Sequence, residues 1–452
     1  MSTLAEPAKG GELFGHPRGL TYLFTVEMWE RFSYYGMRAL LVLYMVKHLF
    51  QPHAADAVIG FATLKAAFEG LFGPLGVQPL ASHVYGLYTG LVYLTPVIGG
   101  LIADRWLGQR RTVVLGAALM AAGHFMMAHE PLFLVALFTL ILGNGAFKPN
   151  ISTQVCALYA PGDPRRDRAF SIFYVGINLG AFLAPLVCGT LGEQLGWHYG
   201  FTAAGVGMTI GLAIYLYASR TLPPDVRTAR LAAGPDAPFG RDEWRAIVAL
   251  CVLFLPATLF WATYEQMGNT IALWADGYTD RRVLGLFTIP VTWFQAFNPF
   301  MIFAFTPFVI ALWRRQALRG GEPSTVTKMA LGCFFNAAAN LIMVLTAALA
   351  GGGTVSWLWL FAYFVVITVG ELYISPTSLS LVTKVAPARV LSMMMGIWLA
   401  TSFTGGFLAG YLGSLWSGMG KSDFFMMIAI IAALAGVAVL AVARPVNRVL
   451  KV

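Results

Sequence analysis

Apolar runs of helical length follow one another along the 452-residue chain with only short polar stretches between them. A bilayer core needs roughly 20 consecutive apolar residues per helical span. Twelve segments meet that demand: 21–49, 81–103, 112–129, 131–159, 169–191 and 196–218 in the first half, then 246–275, 288–312, 326–350, 356–380, 390–416 and 423–443. Barrel strands would instead be about ten residues of alternating polarity, so an all-α integral membrane protein is expected. The stretch 219–243 carries arginines and prolines and no apolar run. It divides the chain into a six-helix bundle over 1–218, a cytoplasmic linker over 219–243 and a second six-helix bundle over 244–452. Between the first two spans, Phe61, Leu64, Phe68 and Phe72 recur at helical spacing, which predicts an interfacial amphipathic segment or a helix extension.

Composition agrees with the pattern, since 58% apolar residues, 11% charged residues and a mean hydropathy of +0.69 exceed what a water-soluble globule can hide. A net charge of +9 in a soluble protein would suggest nucleic acid, but here the basic residues collect in alternate loops. Arg105, Arg110, Arg111, Arg165, Arg166, Arg168, Arg220, Arg241, Arg245, Arg314, Arg315 and both termini fall on one side, against Lys47, Lys65, Arg281, Arg282 and Lys421 on the other. The positive-inside rule then places both termini in the cytoplasm, and no nucleic-acid partner is expected. Residues 1–18 lack a charged-then-apolar pattern ending in a small-residue cleavage site, so no removable signal peptide is expected. Cys156, Cys188, Cys251 and Cys333 lie singly within spans and are read as packing residues. The seven histidines form no metal-binding pair, so no metal or other cofactor is expected.

Ionisable residues inside apolar spans need a reason, because a charge at mid-bilayer costs at least about 2.5 kcal/mol on insertion scales. The densest cluster runs from Glu27 to Arg38. At 3.6 residues per turn, Glu27, Arg31, Tyr34 and Arg38 form one stripe flanked by Glu30 and Tyr35, with Trp29, Phe32, Gly36 and Leu40 opposite. A structural salt bridge between Glu27 and Arg31 would explain one pair. It would not explain two acids, two arginines and two tyrosines on one face, nor the further charges Lys148, Glu265 and Glu371 deep in three other spans.

Two six-helix bundles joined by a polar linker resemble the major facilitator superfamily, whose halves rock around a site at mid-membrane. Within it, the chain is identified by resemblance with the proton-dependent oligopeptide transporter family. Glu27-x-x-Glu30-Arg31-Phe32-x-Tyr34-Tyr35-Gly36 matches that family's ExxERFxYYG motif at every fixed position. Gly99, Gly100, Ala103, Asp104, Arg105 and Gly108 match GGxxADRxxG, and Phe173, Tyr174, Ile177, Asn178 and Gly180 match FYxxINxG. Phe260, Trp261, Ala262, Glu265 and Gln266, then Glu371, Leu372, Ser375 and Pro376, are also family-like. Two departures stand out. The linker leaves no room for the two extra helices of many bacterial relatives, and Gly86 occupies the place, seven residues before Tyr93, where some members carry histidine. His83 is nearby but out of register and is read as an exposed residue at the helix mouth.

The resemblance implies a proton-coupled symporter that imports di- and tripeptides by alternating access, with protons as the coupling ion and membrane lipid as its surroundings. Residence in the bacterial inner membrane, a monomer and no enzymatic activity are expected with it. Residue chemistry fits a zwitterionic substrate. Arg38 and Lys148 suit a carboxylate, Glu371 an ammonium, and Asn178 and Asn298 a peptide backbone. Tyr34, Tyr35, Tyr93, Trp261 and Trp398 suit sequence-tolerant pockets, and Ser375, one turn after Glu371, suits orientation of its carboxylate. Proton coupling needs carboxylates whose proton affinity responds to burial and to an approaching cation. Glu27 and Glu30 beside Arg31 and Lys148 fit that need, and Glu265 is the expected partner of Arg38 or Lys148 in a gate. A carrier of another anion such as nitrate is the alternative, disfavoured because nitrate has no ammonium for Glu371; a membrane enzyme or sensor has no motif to support it.

Overall fold

The computed structural model describes residues 11–13, 15–160, 163, 165–222, 240–386 and 391–450. Most of the expected linker, 223–239, lies outside the described residues. Among the described residues, sixteen α-helices follow in chain order. In the first half they are α1 (Arg18–Tyr44), α2 (Pro52–Ala55), α3 (Phe61–Phe72), α4 (Val77–Ile102), α5 (Gln109–Met126), α6 (Phe133–Ala157), α7 (Arg165–Ala184), α8 (Thr190–Gln194) and α9 (Trp197–Ala218). The second half holds α10 (Arg241–Tyr264), α11 (Thr270–Gly277), α12 (Phe297–Leu318), α13 (Thr325–Ala350), α14 (Leu358–Val385), α15 (Leu391–Ser414) and α16 (Lys421–Leu450). Twelve of these, among the described residues, have 18 or more residues and fall on the twelve expected spans. Nine helical segments among the described residues are long and apolar enough by themselves to cross a bilayer. Helix α1 falls short of that measure because Glu27, Glu30, Arg31 and Arg38 interrupt its apolar run.

Two spans differ from their expected outlines. The segment 246–275 breaks after α10 into a single 3-10 turn, Glu265–Gly268, before α11 resumes. Buried Gln266 makes the break affordable. Its amide donates to the carbonyls of Ala262 (3.2 Å) and Ala409 (2.9 Å) and its oxygen accepts from Thr270 (3.0 Å), so backbone and side-chain groups freed by the break are satisfied inside the protein. The segment expected at 288–312 starts its α-helix only at Phe297, after a 3-10 turn over Val291–Ala296 that follows Pro290. Pro299 then sits in the first turn of α12, where its missing N–H costs nothing. The spacing of Phe61, Leu64, Phe68 and Phe72 is confirmed as helix α3, with Phe68 buried.

The chain divides into two compact units. Unit 1 comprises 1–70 and 94–229; unit 2 comprises 71–93 and 230–452. This differs from a division at the linker alone, because the first part of α4 packs with the carboxy-terminal helices. In unit 1, α1 lies against α7 and α9, and α5 against α6 and α9. Gly36 permits the close approach of α1 to the turn after α7, since a Cβ there would stand 2.6 Å from Cys188 Sγ. In unit 2, α13 packs on α14 and α16, and α10 on α15 and α16. The contact of residues 77–93 with α15 rests on Gly86 and Gly90: a Cβ on Gly90 would lie 2.8 Å from the Phe403 carbonyl oxygen. His83, expected at an exposed mouth, is instead 2% exposed and stacked on Phe72 with ring centroids 4.3 Å apart. The preceding apolar α3, invisible to a reading of α4 alone, covers it.

At the end of unit 1 that carries the amino terminus, Glu12–Leu13 pairs antiparallel with His16–Pro17. Arg165 ties this strand pair to the loop after α6, contacting Glu12 at 2.8 Å and Asp163 at 2.9 Å, while His16 meets Tyr159 Oη at 2.8 Å. Hydrogen bonds from the Arg165 side chain and backbone hold the Asp163 carboxyl below its ordinary value. None of the four cysteines is disulfide-bonded.

Candidate functional site

In unit 1 the site is built on α1 and α6. The α1 stripe is buried as its wheel predicts, with Glu27 2%, Glu30 0%, Arg31 4% and Arg38 8% exposed. The pairing within it is unequal. Arg31 forms a two-pronged contact with Glu30, through Nε to Oε2 and through Nη2 to Oε1 at 2.7 Å, and Asn144 of α6 donates to the same Oε1 at 3.3 Å. Glu27 receives only Arg31 Nε at 3.3 Å, and its Oε2 is buried without a hydrogen-bond partner among the described residues. The i, i+4 pair anticipated from the sequence is therefore present but secondary to the adjacent Glu30. Lys148, half-buried one turn beyond Asn144, is close enough to act electrostatically on Glu27, Glu30 and Arg31. Arg31 also lies 5.2 Å from the centre of the Tyr34 ring, which in turn packs on Tyr35 at 5.1 Å.

In unit 2 the corresponding feature is Glu371 of α14. Its Oε2 accepts hydrogen bonds from Tyr264 Oη at 2.6 Å and from Asn298 Nδ2 at 2.8 Å, and Asn298 also donates to Thr368 at 3.0 Å. These two donors are uncharged, and both use the same oxygen. Tyr264 packs edge-on against Trp261 at 5.6 Å, and the Trp261 indole N–H is buried without a hydrogen-bond partner among the described residues. Trp261, Tyr264, Asn298 and Glu371 thus form one connected group from α10, α12 and α14. Ser375 makes no hydrogen bond to Glu371 among the described residues, so orientation comes from Tyr264 and Asn298 in its place. Glu265, at the break after α10, accepts from Tyr85 of α4 at 3.2 Å.

The other expected residues are placed as follows. Tyr34 and Trp398 are buried, with Trp398 against Phe254 at 5.7 Å; Tyr35 and Tyr93 are half-buried. Asn178 donates to the carbonyl of Tyr174 at 3.0 Å in its own helix. Tyr85, Asn144, Tyr264 and Thr368 join the site without having been singled out in the sequence. Tyr264 and Asn144 each lie next to, or one turn from, an intramembrane charge, which is the signal that would have found them.

Known proteins can now be set beside this geometry. The family model described as PTR2, POT family, matches residues 110–225 and 240–432. The chain is 34% identical to the peptide transporter YePEPT of Yersinia enterocolitica, over 91% of this chain and 90% of that protein. It is 34% identical to a di-/tripeptide transporter of Lactococcus lactis subsp. cremoris, over 97% of each. A crystal structure of a mutant peptide transporter POT in complex with alafosfalin superposes with a TM-score of 0.85 at 32% identity, covering 99% of this chain and 98% of that one. The fold is accordingly the major facilitator superfamily fold, and the chain belongs to the POT family of membrane transporters.

Proposed function

We propose that the chain is a proton-coupled symporter that imports di- and tripeptides by alternating access. The observation that carries the reading is the inequality of the two acids in α1. Glu30 is saturated by Arg31 and Asn144, whereas Glu27 keeps a buried oxygen with no partner among the described residues. A carboxylate oxygen so placed is poorly solvated as an anion, and a proton on it relieves the cost. Glu27 is therefore the proton carrier and Glu30 the fixed counter-ion of Arg31. Protonation of Glu27 weakens its hold on Arg31 and Lys148 and readies Lys148, with Arg38, for a substrate carboxylate. Glu371, oriented by neutral donors, takes the substrate ammonium, and the Trp261 N–H and the tyrosines accommodate the rest. Glu265 pairs with Arg38 or Lys148 when the outer side closes. The protein works as a monomer in the bacterial inner membrane with both termini cytoplasmic.

The names of the relatives support the substrate class, and each end of a zwitterion has a candidate charged group, Arg38 and Lys148 in unit 1 and Glu371 in unit 2. The test is peptide-dependent proton uptake into proteoliposomes carrying an internal pH dye. Addition of dialanine should acidify the lumen, and a nitrate salt should not. Peptide entry without proton movement would overturn the coupling, and nitrate-driven acidification would overturn the substrate class.

A further inference from the structure

Beyond the transport site, α10 and α16 of unit 2 enclose a groove of about 420 Å³ near the start of one helix and the end of the other. Its walls are Val248, Ala249, Val252, Val442, Pro445 and Val446, and its mouth is Trp244 and Arg245. Polarity is segregated along it. Ala249 and Val446 form a buried floor, Val248 is 55% exposed along the side, and Trp244 is 53% exposed at the mouth. On α10, Arg241, Arg245, Val248 and Val252 recur at i, i+4, i+7 and i+11, so the two arginines continue the apolar wall on one helical face. Both arginines are exposed. Glu243, the acid in this first turn with a described side chain, is turned onto its own helix start, where its Oε2 accepts from the Gly240 N–H at 2.9 Å.

We infer that this groove is a binding site for an anionic phospholipid, with an acyl chain along the valines and the headgroup phosphate between Arg241 and Arg245. Three features select that occupant. The groove is almost wholly apolar and lies between helices long and apolar enough to span a bilayer, so a hydrocarbon chain fills it without leaving polar groups unmet. Trp244 has the amphipathic ring that settles at headgroup level. The two arginines sit one and two turns from the apolar wall, at the depth where a phosphate attached to that chain must lie, and basic clefts between helices at this membrane face suit acidic headgroups. A zwitterionic headgroup brings its own cation to the same place and gains less. The inference stands apart from the substrate reading, since none of these residues belongs to the site on Glu27 or Glu371.

Brominated lipids quench tryptophan at contact, and the difference in quenching between wild type and Trp244→Phe isolates Trp244. The purified transporter is reconstituted with increasing fractions of brominated phosphatidylglycerol or brominated phosphatidylcholine. Each arginine near the surface contributes about fivefold in anionic-lipid affinity, so phosphatidylglycerol should half-saturate Trp244 at roughly 25-fold lower mole fraction than phosphatidylcholine. Arg241→Gln with Arg245→Gln should raise that value to the phosphatidylcholine level. Val252→Phe, which narrows the groove and leaves both arginines, should remove saturation by either lipid. Circular dichroism identifies variants that retain the wild-type helix content, and only these are compared. Equal half-saturation by the two lipids, or unchanged selectivity in the double variant, overturns the inference.

Discussion

Glu371→Gln removes a charge while sparing the local structure, which makes it the sharpest probe of the amino-terminal anchor. The amide oxygen of glutamine accepts from Tyr264 and Asn298 as Oε2 does now, at 2.6 and 2.8 Å, so the links among α10, α12 and α14 persist. What disappears is the negative charge offered to the ligand. A hydrogen bond to a charged group is worth about 1.5–3 kcal/mol net, so a free dipeptide should bind roughly 10- to 150-fold more weakly to the variant. Acetylating the dipeptide removes the same contact from the other side, and the two losses should be strongly non-additive. The assay is a four-cornered competition measurement at fixed pH: free and acetylated dipeptide against wild type and Glu371→Gln. Acetylation should cost wild type that full factor and the variant less than about threefold. An equal cost in both proteins would refute the anchor, and the Glu371 cluster would then serve contacts among its own helices.

Glu27→Gln mimics a permanently protonated carrier; it should abolish pH-driven accumulation in proteoliposomes while preserving peptide exchange at equal concentrations, and loss of both would move Glu27 from coupling to binding or folding. Lys148→Ala should eliminate driven uptake, and intact uptake would reject any role for it. Gly86→Val places a Cβ 2.5 Å from Gly410 Cα and should lower the thermal unfolding midpoint through a destabilisation of about 1–3 kcal/mol from overpacking, whereas Gly70→Ala, with nothing within 4 Å, should be neutral. The Arg165 tie to the amino-terminal strand pair should be pH-independent across the working range. Asp163 has a folded pKa below its ordinary 3.8, so its contribution is complete above that value and lost only as pH falls further. Hydrogen exchange at 12–17 should therefore stay protected from about pH 7 to about pH 4 in wild type and lose protection at both in Arg165→Ala.

Spans were legible because burial in lipid demands long apolar runs, and that demand is written residue by residue. The α1 stripe was legible for the complementary reason: Glu27, Arg31 and Arg38 violate the demand, and helical periodicity alone puts them on one face. Partner choice within the stripe was not legible. Glu30 and Arg31 are about 100° apart on the helix, yet the long guanidinium reaches back to both oxygens of its neighbour, a matter of rotamers that spacing does not encode. Neutral partners were harder still. Tyr264 and Asn144 adjoin intramembrane charges in the sequence, but only the convergence of α10, α12 and α14, or of α1 and α6, shows which carboxylate each one meets, and Tyr85 meets Glu265 only through the packing of α4 in unit 2. The 3-10 break at Glu265–Gly268 was not legible because the apolar runs on either side of Glu265 and Gln266 read as one span, and Gln266 satisfies the break from inside the protein.

The amino-terminal part of α4 joins packing to mechanism most directly. Residues 77–93 group with unit 2 and residues from 94 onward with unit 1, so one continuous helix serves both. Its contact with α15 is backbone against backbone at Gly86, Gly90, Gly406 and Gly410, where a Cβ on either helix would meet main-chain atoms. Small residues bring helices close without interdigitating ridges, and in lipid such contacts draw on dispersion and hydrogen bonds rather than on apolar burial. Three polar ties run from the same part of α4 into unit 2: Gln78 to the Gly413 carbonyl of α15 at 3.0 Å, and, at the break beyond α10, Ser82 to Asn269 at 2.9 Å and Tyr85 to Glu265 at 3.2 Å. At about 0.5–1.5 kcal/mol net each, they amount to roughly 2–4 kcal/mol, which is the scale a bound ligand can shift between two states. Glycine at these positions gives a close contact without interdigitating side chains, and Tyr85 joins the same part of α4 to the intramembrane acid Glu265.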